Sequence, residues 1–326
     1  MIVVRSPLRI SLGGGGTDLP SYFRKFQGEL TSISINKYVY ICIHDHIKKE
    51  CIIKYSENEI VNNISEIKHK IIKETFKKYN FNYKYKEITS FADIPAGTGL
   101  GSSGAFTVAL LSAIKRKEGI AQSKKSNAED ACDIEINRLK QPCGKQDQYI
   151  SSYGGIRNFL FKKDDSVKVK KHNITSNFIN YFLNNSLLIF TGFTRESKNL
   201  LIEQKKDTEI NKKEMIEKLH YTKELGLSIK KAFENQNIDE ISKLMNKHWE
   251  SKIKRSKGMS NNRINNLYNY LIKNGCTGGK LIGAGGGGYL LMLCNKKKKA
   301  LKSLENKKLI NTSCSLDNEG TKIIKF

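Results

Sequence analysis

The sequence contains no run of about twenty apolar residues, the length that a membrane-spanning helix needs, so we expect no membrane segment. Its seven cysteines are an odd number and form no CxxC pair, which disfavours a disulfide framework or a zinc site and favours reduced thiols. The stretch MIVVRSPLRISLGG at the amino terminus lacks the anatomy of a signal peptide. These absences predict a cytoplasmic protein.

Acidic residues are also scarce, because 32 Asp and Glu stand against 57 Lys and Arg and give a formal net charge of +25. A balance this basic keeps a nucleic-acid-binding function open as an alternative. The lysines are dispersed, however, through segments rich in Asn and Ile such as residues 68–86, whereas nucleic-acid-binding surfaces concentrate charge on one stripe. We therefore interpret them as solvated faces and expect no nucleic-acid partner. A positive field would still attract phosphorylated substrates.

The length of 326 residues favours two domains of ordinary size. Apolar residues alternate with polar ones up to Leu12, and β-branched and aromatic residues crowd 32–43, so both segments are predicted strands. Residues 198–273 read mostly as polar amphipathic helix. The mixture predicts an α/β or α+β fold, and we place the boundary between domains of residues 1–185 and 186–326.

Glycine is concentrated in three clusters, at residues 13–16, 97–104 and 283–288. The second cluster runs directly into a predicted helix at residues 105–117. Successive backbone N–H groups that enter a helix N-terminus form a natural anion site, so this loop is expected to bind phosphate. A tight turn is an equally good interpretation of any one such cluster alone.

Generic nucleotide-binding patterns do not explain these loops. Residues 99–104 and 283–288 both satisfy G-x-G-x-x-G, and two matches in one chain show how little that pattern discriminates. A Walker A loop is absent, because Leu281 follows Lys280 and no glycine stands five residues before Gly279. Rossmann and P-loop folds are both disfavoured.

A second helix is predicted to begin at a capping box formed by Ser126 with Glu129 three residues later. Its apolar stripe runs from Ala128 through Cys132, and Glu135 falls on that stripe. A carboxylate is costly to bury unless a cation pairs with it, so Glu135 is expected to face a metal ion or, alternatively, a nearby lysine.

Three motifs in order carry a resemblance to a known family. Residues 7–18 resemble the first motif of the GHMP (galactokinase, homoserine kinase, mevalonate kinase, phosphomevalonate kinase) family, residues 95–103 are similar to its second motif, the phosphate loop, and residues 280–288 match its third. The tract at residues 14–20 resembles one branch, the kinases of D-glycero-D-manno-heptose 7-phosphate and their fucokinase-like relatives.

The resemblance implies an α+β GHMP kinase fold, with an amino-terminal domain like ribosomal protein S5 domain 2, a ferredoxin-like carboxy-terminal domain and a cleft between them. It implies ATP and Mg²⁺ as cofactors and a sugar phosphate as acceptor, in a monomer or homodimer. The favoured reaction is phosphorylation of the anomeric C1 hydroxyl of D-glycero-D-manno-heptose 7-phosphate, for nucleotide-activated heptose and surface polysaccharide. A fucokinase- or galactokinase-like sugar kinase is the alternative within the family, and a basic nucleic-acid-binding protein is the alternative outside it.

The resemblance also implies roles for individual residues. Asp147 corresponds to the catalytic aspartate, which can accept the hydroxyl proton, and Arg9 would lower the pKa of that aspartate and offset charge. Ser103 and Glu135 are the expected magnesium ligands. The expected nucleotide-binding residues are Pro95, Gly97, Gly99, Leu100, Gly101, Ser102, Ser103 and Gly104.

One departure affects the catalytic aspartate. The family more often has a single residue between the glycine and this aspartate, whereas Lys145 and Gln146 separate Gly144 from Asp147 here. The alternative interpretation of Asp147 is a surface acid on a loop.

Acceptor-binding residues are expected on the first and third loops. Thr17 and Asp18 would bind sugar hydroxyls, with a helix N-cap before Leu19 and Pro20 as the alternative or additional role. Arg195 is the candidate for binding a phosphate on the acceptor, because a guanidinium binds phosphate through two hydrogen bonds. The full expected acceptor set is Gly14, Gly15, Thr17, Asp18, Arg195, Gly285 and Gly286.

Overall fold

The computed structural model describes residues 1–172, 174–192, 194, 198–256 and 258–325. The strands are β1 (Ile2–Gly13), β2 (Gly28–Asp45), β3 (Cys51–Lys54), β4 (Asn58–Val61), β5 (Lys86–Ala92), β6 (Ile156–Phe161), β7 (Val167–Lys171), β8 (Ser186–Phe190), β9 (Cys276–Leu281), β10 (Tyr289–Cys294) and β11 (Lys322–Lys325). The α-helices are α1 (Pro20–Phe26), α2 (Lys70–Tyr79), α3 (Ser102–Lys117), α4 (Lys124–Cys132), α5 (Gln146–Tyr153), α6 (Ser176–Asn184), α7 (Lys198–Glu209), α8 (Lys213–Glu234), α9 (Ile238–Ile253), α10 (Asn262–Lys273) and α11 (Lys297–Asn306). A 3₁₀ turn (Ile64–Glu66) precedes α2, and a π-helical segment (Asp133–Arg138) follows α4.

The larger sheet has the strand order β11-β1-β2-β5-β3-β4, and β6 and β7 extend it from β2. Its centre is the long antiparallel pair of β1 and β2, which runs from Ile2 opposite Ile43 to Gly13 opposite Thr31. The pair is long because almost every residue of β1 is buried, including the non-alternating stretch at its carboxyl end. Both faces of the strand are therefore covered, and its buried residues include the polar Ser6, Arg9 and Ser11. The end of β1 is thus fixed rigidly where the first glycine loop begins.

The smaller sheet contains β8, β10 and β9 in that order, all antiparallel. Its core includes Leu187, Leu281 and Leu290 from the strands, and Trp249 and Leu271 from α9 and α10. The third glycine loop connects β9 to β10 and is therefore the turn of a strand pair. Burial of these apolar side chains stabilises the turn at a defined position.

A second apolar cluster joins the two sheets. It includes Leu8 and Ile33 from the larger sheet, Leu188 and Ile282 from the smaller one, and Ile229 from α8 between them, and all five are almost completely buried. Shared packing of this kind makes relative motion of the two sheets costly. The final strand, β11, then returns to pair with β1.

The predicted α+β fold is confirmed, and so are the strand up to Leu12 and the helical character of residues 198–273 within the described positions. The predicted capping box at Ser126 and Glu129 is wrong. α4 begins earlier, at Lys124, and its N-cap is Ser123, whose side chain accepts a hydrogen bond from the backbone N–H of Ser126. The Ser126 hydroxyl accepts the reciprocal bond from the Ser123 N–H at 2.9 Å. In the part of the chain that the structure describes, no helix has the length and apolarity to cross a membrane.

Candidate active site

A cleft opens between the two sheets, where all three glycine loops meet. β1 and its loop contribute one wall, the loop before α3 and the start of α5 contribute a second, and α7 and α9 contribute a third. The residues that line it are Arg9, Ser11, Gly15, Gly16, Asp18, Leu19, Gly97, Gly99, Gly101, Ser102, Ser103, Cys143, Gly144, Gln146, Asp147, Leu201, Gln204, His248, Lys252, Arg255, Lys280, Gly283 and Ala284.

The second glycine loop leads directly into the N-terminus of α3. Gly101 is the N-cap with a left-handed conformation (φ +81°), and no side chain caps the first N–H groups of the helix. A Cβ added to Gly99 would lie 2.6 Å from the carbonyl oxygen of Ile282, because the second and third loops contact each other through their backbones. Only glycine fits this contact. The result is a row of free amides at a helix N-terminus, which is an anion site.

Ser103 and Glu135 are in direct contact. The Ser103 hydroxyl donates to Oε2 of Glu135 at 2.6 Å, and Nε2 of Gln148 donates to Oε1 at 3.1 Å. Burial raises the pKa of Glu135, and the hydrogen bonds from Ser103, Thr107 and Gln148 oppose that rise. Among the described residues no lysine pairs with Glu135, so the alternative of a salt bridge is not realised there. Glu135 belongs to the π-helical segment rather than to a regular stripe of α4, and such segments are frequent at functional sites.

Asp147 lies in the first turn of α5 and is held by Arg9. The guanidinium donates from Nε to Oδ1 at 2.8 Å and from Nη2 to Oδ2 at 3.0 Å, and its third nitrogen donates to the carbonyl of Gly99. Arg9 is 5% exposed, whereas the Asp147 side chain is 28% exposed toward the cleft. A bidentate pair with a buried arginine fixes the orientation of the carboxylate.

Asp18 ties the first glycine loop to the start of α5. Its carboxylate accepts the N–H of Gly16 at 3.0 Å and the N–H of Gln146 at 3.2 Å, and its carbonyl accepts the N–H of Lys145. Burial, followed by the charge of Asp147, raises the pKa of Asp18. These hydrogen bonds fix the position of Lys145 and Gln146, the two residues that separate Gly144 from Asp147. Asp147 faces the cleft despite this departure from the more common family spacing.

Several residues expected to bind the acceptor are placed behind the cleft wall. The hydroxyl of Thr17 is fully buried, donates to the carbonyls of Gly14 and Glu29 at 2.8 and 3.1 Å, and accepts the Glu29 N–H at 3.2 Å. It is therefore used within the fold and not free for a sugar, contrary to our expectation. The N-cap of α1 is Leu19 and no side chain caps that helix, so the alternative role of Thr17 and Asp18 as N-caps is wrong.

The remaining expected residues divide in the same way. Gly15 lines the cleft, whereas Gly285 and Gly286 turn away from it toward Met259, whose carbonyl accepts the Gly286 N–H at 3.0 Å. Arg195 lies outside the described residues. On the nucleotide side Gly97, Gly99, Gly101, Ser102 and Ser103 line the cleft. Leu100 and Gly104 are buried beside the loop and Pro95 is exposed, and these three do not line the cleft.

The residues of the third wall were not predicted from the sequence. His248, Lys252 and Arg255 are spaced four and three residues apart and lie on one face of α9 and the turn after it, where they meet Lys280 from β9. Lys252 donates to the carbonyls of Leu281 and Gly283, Lys280 to that of Leu12 at 3.0 Å, and Arg255 to the Thr222 hydroxyl at 2.7 Å and the Gly15 carbonyl at 3.3 Å. One signal was available, because these cations continue the buried stripe of α9.

The environment of these four cations weakens their charge. Burial, with the repulsion of Arg255 and Arg9, lowers the pKa of Lys280 to about 7, and burial lowers the pKa of Arg255 to about 10. Burial and neighbouring cations hold the pKa values of His248 and Lys252 well below their ordinary range. No carboxylate in the described ranges forms an ion pair with Lys252, Arg255 or Lys280.

Phosphoryl transfer from a nucleotide needs an anion site for the phosphates, oxygen ligands for a metal ion and a group that orients the nucleophile. The free amides at the start of α3, the pair of the exposed Ser103 hydroxyl with the buried Glu135 carboxylate, and the oriented Asp147 match these three requirements. Comparison with protein families makes this specific. The model of the GHMP kinases N-terminal domain matches residues 59–155, and that of the GHMP kinases C-terminal domain matches residues 229–308. The chain belongs to the GHMP kinase family: it is an ATP-dependent sugar kinase with an alcohol group as acceptor.

The chain is similar to proteins of known name along nearly its whole length. It is 27% identical to the D-glycero-alpha-D-manno-heptose 7-phosphate kinase of Campylobacter jejuni over 98% of both chains. It is 25% identical to the L-fucokinase/L-fucose-1-P guanylyltransferase of Bacteroides fragilis, over 86% of this chain and 33% of that longer protein.

Among solved structures, a D-glycero-D-manno-heptose 1-phosphate kinase from Bacteroides thetaiotaomicron matches with a TM-score of 0.82 and 22% identity, over 100% of this chain and 99% of the other. A putative sugar kinase from Campylobacter jejuni matches with a TM-score of 0.77 and 25% identity, over 100% and 98%. The first of these likenesses, below 25% identity, establishes the shared fold.

Proposed function

We propose that this protein transfers the γ-phosphoryl group of ATP to the anomeric C1 hydroxyl of D-glycero-D-manno-heptose 7-phosphate. The product is the 1,7-bisphosphate, a precursor of nucleotide-activated heptose for surface polysaccharide. The observation that carries the proposal is the similarity to the Campylobacter jejuni heptose 7-phosphate kinase over 98% of both chains. A cleft with an amide-lined wall and a separate cationic wall also suits two substrates that each carry phosphate.

The nucleotide is expected on the wall formed by the second glycine loop. Its phosphates face the free amides at the start of α3, between Gly101 and Ser103. Bound magnesium would neutralise charge on those phosphates. Ser103 and Glu135 fit the role of its ligands, since hydroxyl and carboxylate oxygens suit this ion and the buried Oε1 of Gln148 beside them lacks a hydrogen-bond partner among the described residues.

The protein supplies few metal ligands of its own. The described part of the chain holds no group of three or more His, Cys, Asp or Glu side chains placed around a common metal position. Magnesium commonly retains several waters and binds through one or two protein groups together with substrate phosphates. The Ser103–Glu135 pair is sufficient for that mode of binding.

Asp147 acts as the proton acceptor. The acceptor hydroxyl oxygen forms a bond to the γ-phosphorus, the bond from that phosphorus to the ADP oxygen breaks, and the hydroxyl proton passes to the carboxylate. Arg9 keeps both carboxylate oxygens oriented by its two hydrogen bonds and places positive charge beside the reacting groups. Asp18 and the backbone of Gly15 and Gly16 border the space in which the sugar is expected.

The test is ADP release measured with a coupled assay over a panel of acceptors. The panel contains D-glycero-D-manno-heptose 7-phosphate, the unphosphorylated heptose, L-fucose, D-galactose and mevalonate. We expect the highest kcat/KM with the heptose 7-phosphate and formation of an acid-labile anomeric phosphate. Higher kcat/KM with fucose or galactose would contradict the proposed acceptor, and an equal rate in the Asp147→Asn variant would indicate a contaminating kinase.

A further inference from the structure

Four buried basic side chains form one side of the cleft: His248, Lys252 and Arg255 from α9 and its end, and Lys280 from β9. We call them the α9 cation cluster. Each is at most 6% exposed. Uncompensated buried charge lowers stability, and an apolar residue in such a position would stabilise the fold more. Their place at a cleft wall therefore indicates that a ligand supplies the missing negative charge.

Unpaired polar atoms in the cluster and on the adjacent strand β1 support this interpretation. Both ring nitrogens of His248, the Nε of Arg255 and the hydroxyl of Ser11 are buried and lack a hydrogen-bond partner in the described residues. All three residues line the cleft. Buried polar atoms are almost always paired in native proteins, so four unpaired atoms on residues that line one cleft indicate a polar ligand rather than chance.

The position of the cluster separates it from the nucleotide wall. Arg255 donates to the carbonyl of Gly15, and a Cβ added to Gly16 would lie 3.0 Å from its Nη1. Gly15 and Gly16 belong to the first glycine loop, whereas the amides expected to bind ATP belong to the loop before α3. A group held by Arg255 thus lies beside the acceptor, on the side of the first loop.

We propose that the α9 cation cluster binds the phosphate group of a phosphorylated acceptor, with Arg255 as its principal ligand. The inference rests on the proposed function and gives it a specificity determinant. A guanidinium can hold a phosphate through two parallel hydrogen bonds, and Lys252 and Lys280 add charge while His248 and Ser11 supply further polar contacts. The cluster takes the role that we expected for Arg195.

The first test measures binding of inorganic phosphate by calorimetry, with the nucleotide wall saturated by magnesium and a non-hydrolysable ATP analogue. Wild-type protein is expected to bind phosphate, and Arg255→Gln to bind it at least about tenfold more weakly, since a charged hydrogen bond is lost. Arg255→Lys keeps the charge without the planar fork and is expected to lie between the two. Lys254→Gln removes an exposed cation one residue away and serves as the matched control.

The following results would contradict the proposal that the α9 cation cluster binds phosphate. Absence of phosphate binding by folded wild-type protein under these conditions would overturn the proposal, and so would equal binding by Arg255→Gln. Loss of binding in Arg195→Gln with retention in Arg255→Gln would return the role to Arg195. Should Arg255→Gln fail to fold, as judged by circular dichroism, Arg255→Lys and Ser11→Ala carry the test, and normal phosphate affinity in both would overturn the assignment.

The second test separates this proposal from the proposed function. It compares kcat/KM for D-glycero-D-manno-heptose 7-phosphate with that for the unphosphorylated heptose, and the ratio is expected to fall at least about tenfold in Arg255→Gln while the KM for ATP stays within twofold. If Arg255→Gln turns over heptose 7-phosphate with an unchanged ratio of kcat/KM values, the proposed phosphate site is wrong and the proposed function is retained. If phosphate binding depends on Arg255 but the wild-type protein does not turn over heptose 7-phosphate, the proposed function is wrong and the phosphate site is retained.

Discussion

Two walls of the cleft are suited to anions, and they are built in different ways. The wall before α3 presents backbone N–H groups, and its special residues are glycines such as Gly99 and Gly101. The wall at α9 presents buried side chains, with Lys252 and Arg255 at its centre. Backbone amides are neutral, so they destabilise the fold little when no anion is bound. Buried cations, by contrast, destabilise the fold until an anion binds.

The difference shows how one protein can combine a general site with a selective one. Free backbone N–H groups can donate hydrogen bonds to any suitably placed phosphate, so the shape of the loop determines which ligand binds there. A cluster of buried cations favours an anionic ligand, because a negative charge compensates for the stabilisation by water that the cations lose on burial. We infer that the nucleotide wall provides chemistry that many relatives share and that the α9 wall selects the acceptor. The following predictions test that division of roles.

Asp147→Asn is expected to have the largest effect, because Asp147 lines the cleft and is the proposed proton acceptor. If Asp147 accepts the hydroxyl proton as proposed, its replacement should lower kcat by about 10²- to 10⁴-fold. Binding of the ATP analogue and of phosphate should change little, because neither wall loses a ligand. Steady-state kinetics measure kcat, and calorimetry measures the affinities for the ATP analogue and for phosphate. Asp164→Asn, which removes an exposed carboxylate from a surface turn, is the control and should retain full activity.

Glu135→Gln is expected to affect the nucleotide wall alone. It should raise the magnesium concentration needed for half-maximal activity by about 10- to 100-fold, by analogy with the loss of groups around metal sites. Phosphate binding at the α9 wall should be retained in the same variant. Glu129→Gln on α4, where the carboxylate is exposed, is the control. A weakened phosphate site in Glu135→Gln would show that the walls are not separate.

Acceptor affinity is expected to depend on pH through Lys280. Its pKa is about 7 in the free protein because it is buried and faces Arg9 from β1 and Arg255, Lys252 and His248 from α9. A bound dianion favours the charged lysine and raises that pKa, so binding takes up protons above pH 7. The acceptor's dissociation constant should therefore rise between pH 7 and 9, by up to about tenfold per unit.

The measurement is calorimetry of acceptor binding in buffers of different ionisation enthalpy. A sugar phosphate has its second pKa near 6, so its own charge is almost constant over this range. Lys280→Arg, which keeps its charge throughout, should show less proton uptake. Proton release on binding, or a dissociation constant that falls as pH rises, would contradict the role of Lys280.

Thr17→Val is expected to have the smallest effect on function. The Thr17 hydroxyl bridges two carbonyls inside the fold, so its loss should lower the free energy of unfolding by about 1–2 kcal/mol. The acceptor KM should change by less than twofold. Urea unfolding and steady-state kinetics measure the two quantities, and Thr17→Ser should restore stability. A large increase in acceptor KM would instead place the hydroxyl at the sugar.

The two walls were not equally predictable from sequence. Gly99, Gly101 and Ser103 are visible because backbone that takes positive φ or approaches another loop demands specific residue types at fixed spacing. The position of Asp147 is also a local feature, although its orientation depends on Arg9, 138 residues earlier in the chain.

The α9 wall is hidden in the sequence by the abundance of lysine. Lys252 and Arg255 are two cations among 57, in a helix that we interpreted as polar and solvated. Their burial follows from the packing of α9 against β9 and the first loop, which no local pattern contains. The spacing of His248 along the stripe that starts at Ile241 was the one local clue. The role of Thr17 was misjudged for the same reason, because Glu29 faces it only after β2 has paired.

The pairing of β11 with β1 has a consequence for biosynthesis. β1 is translated before every other strand of its sheet that the structure describes, yet one of its edges remains open until Lys322–Lys325 has been translated. Open strand edges invite pairing with other chains, and contacts between distant segments form slowly. The β1 edge is thus unprotected for as long as the ribosome translates the segments that lie between β1 and β11.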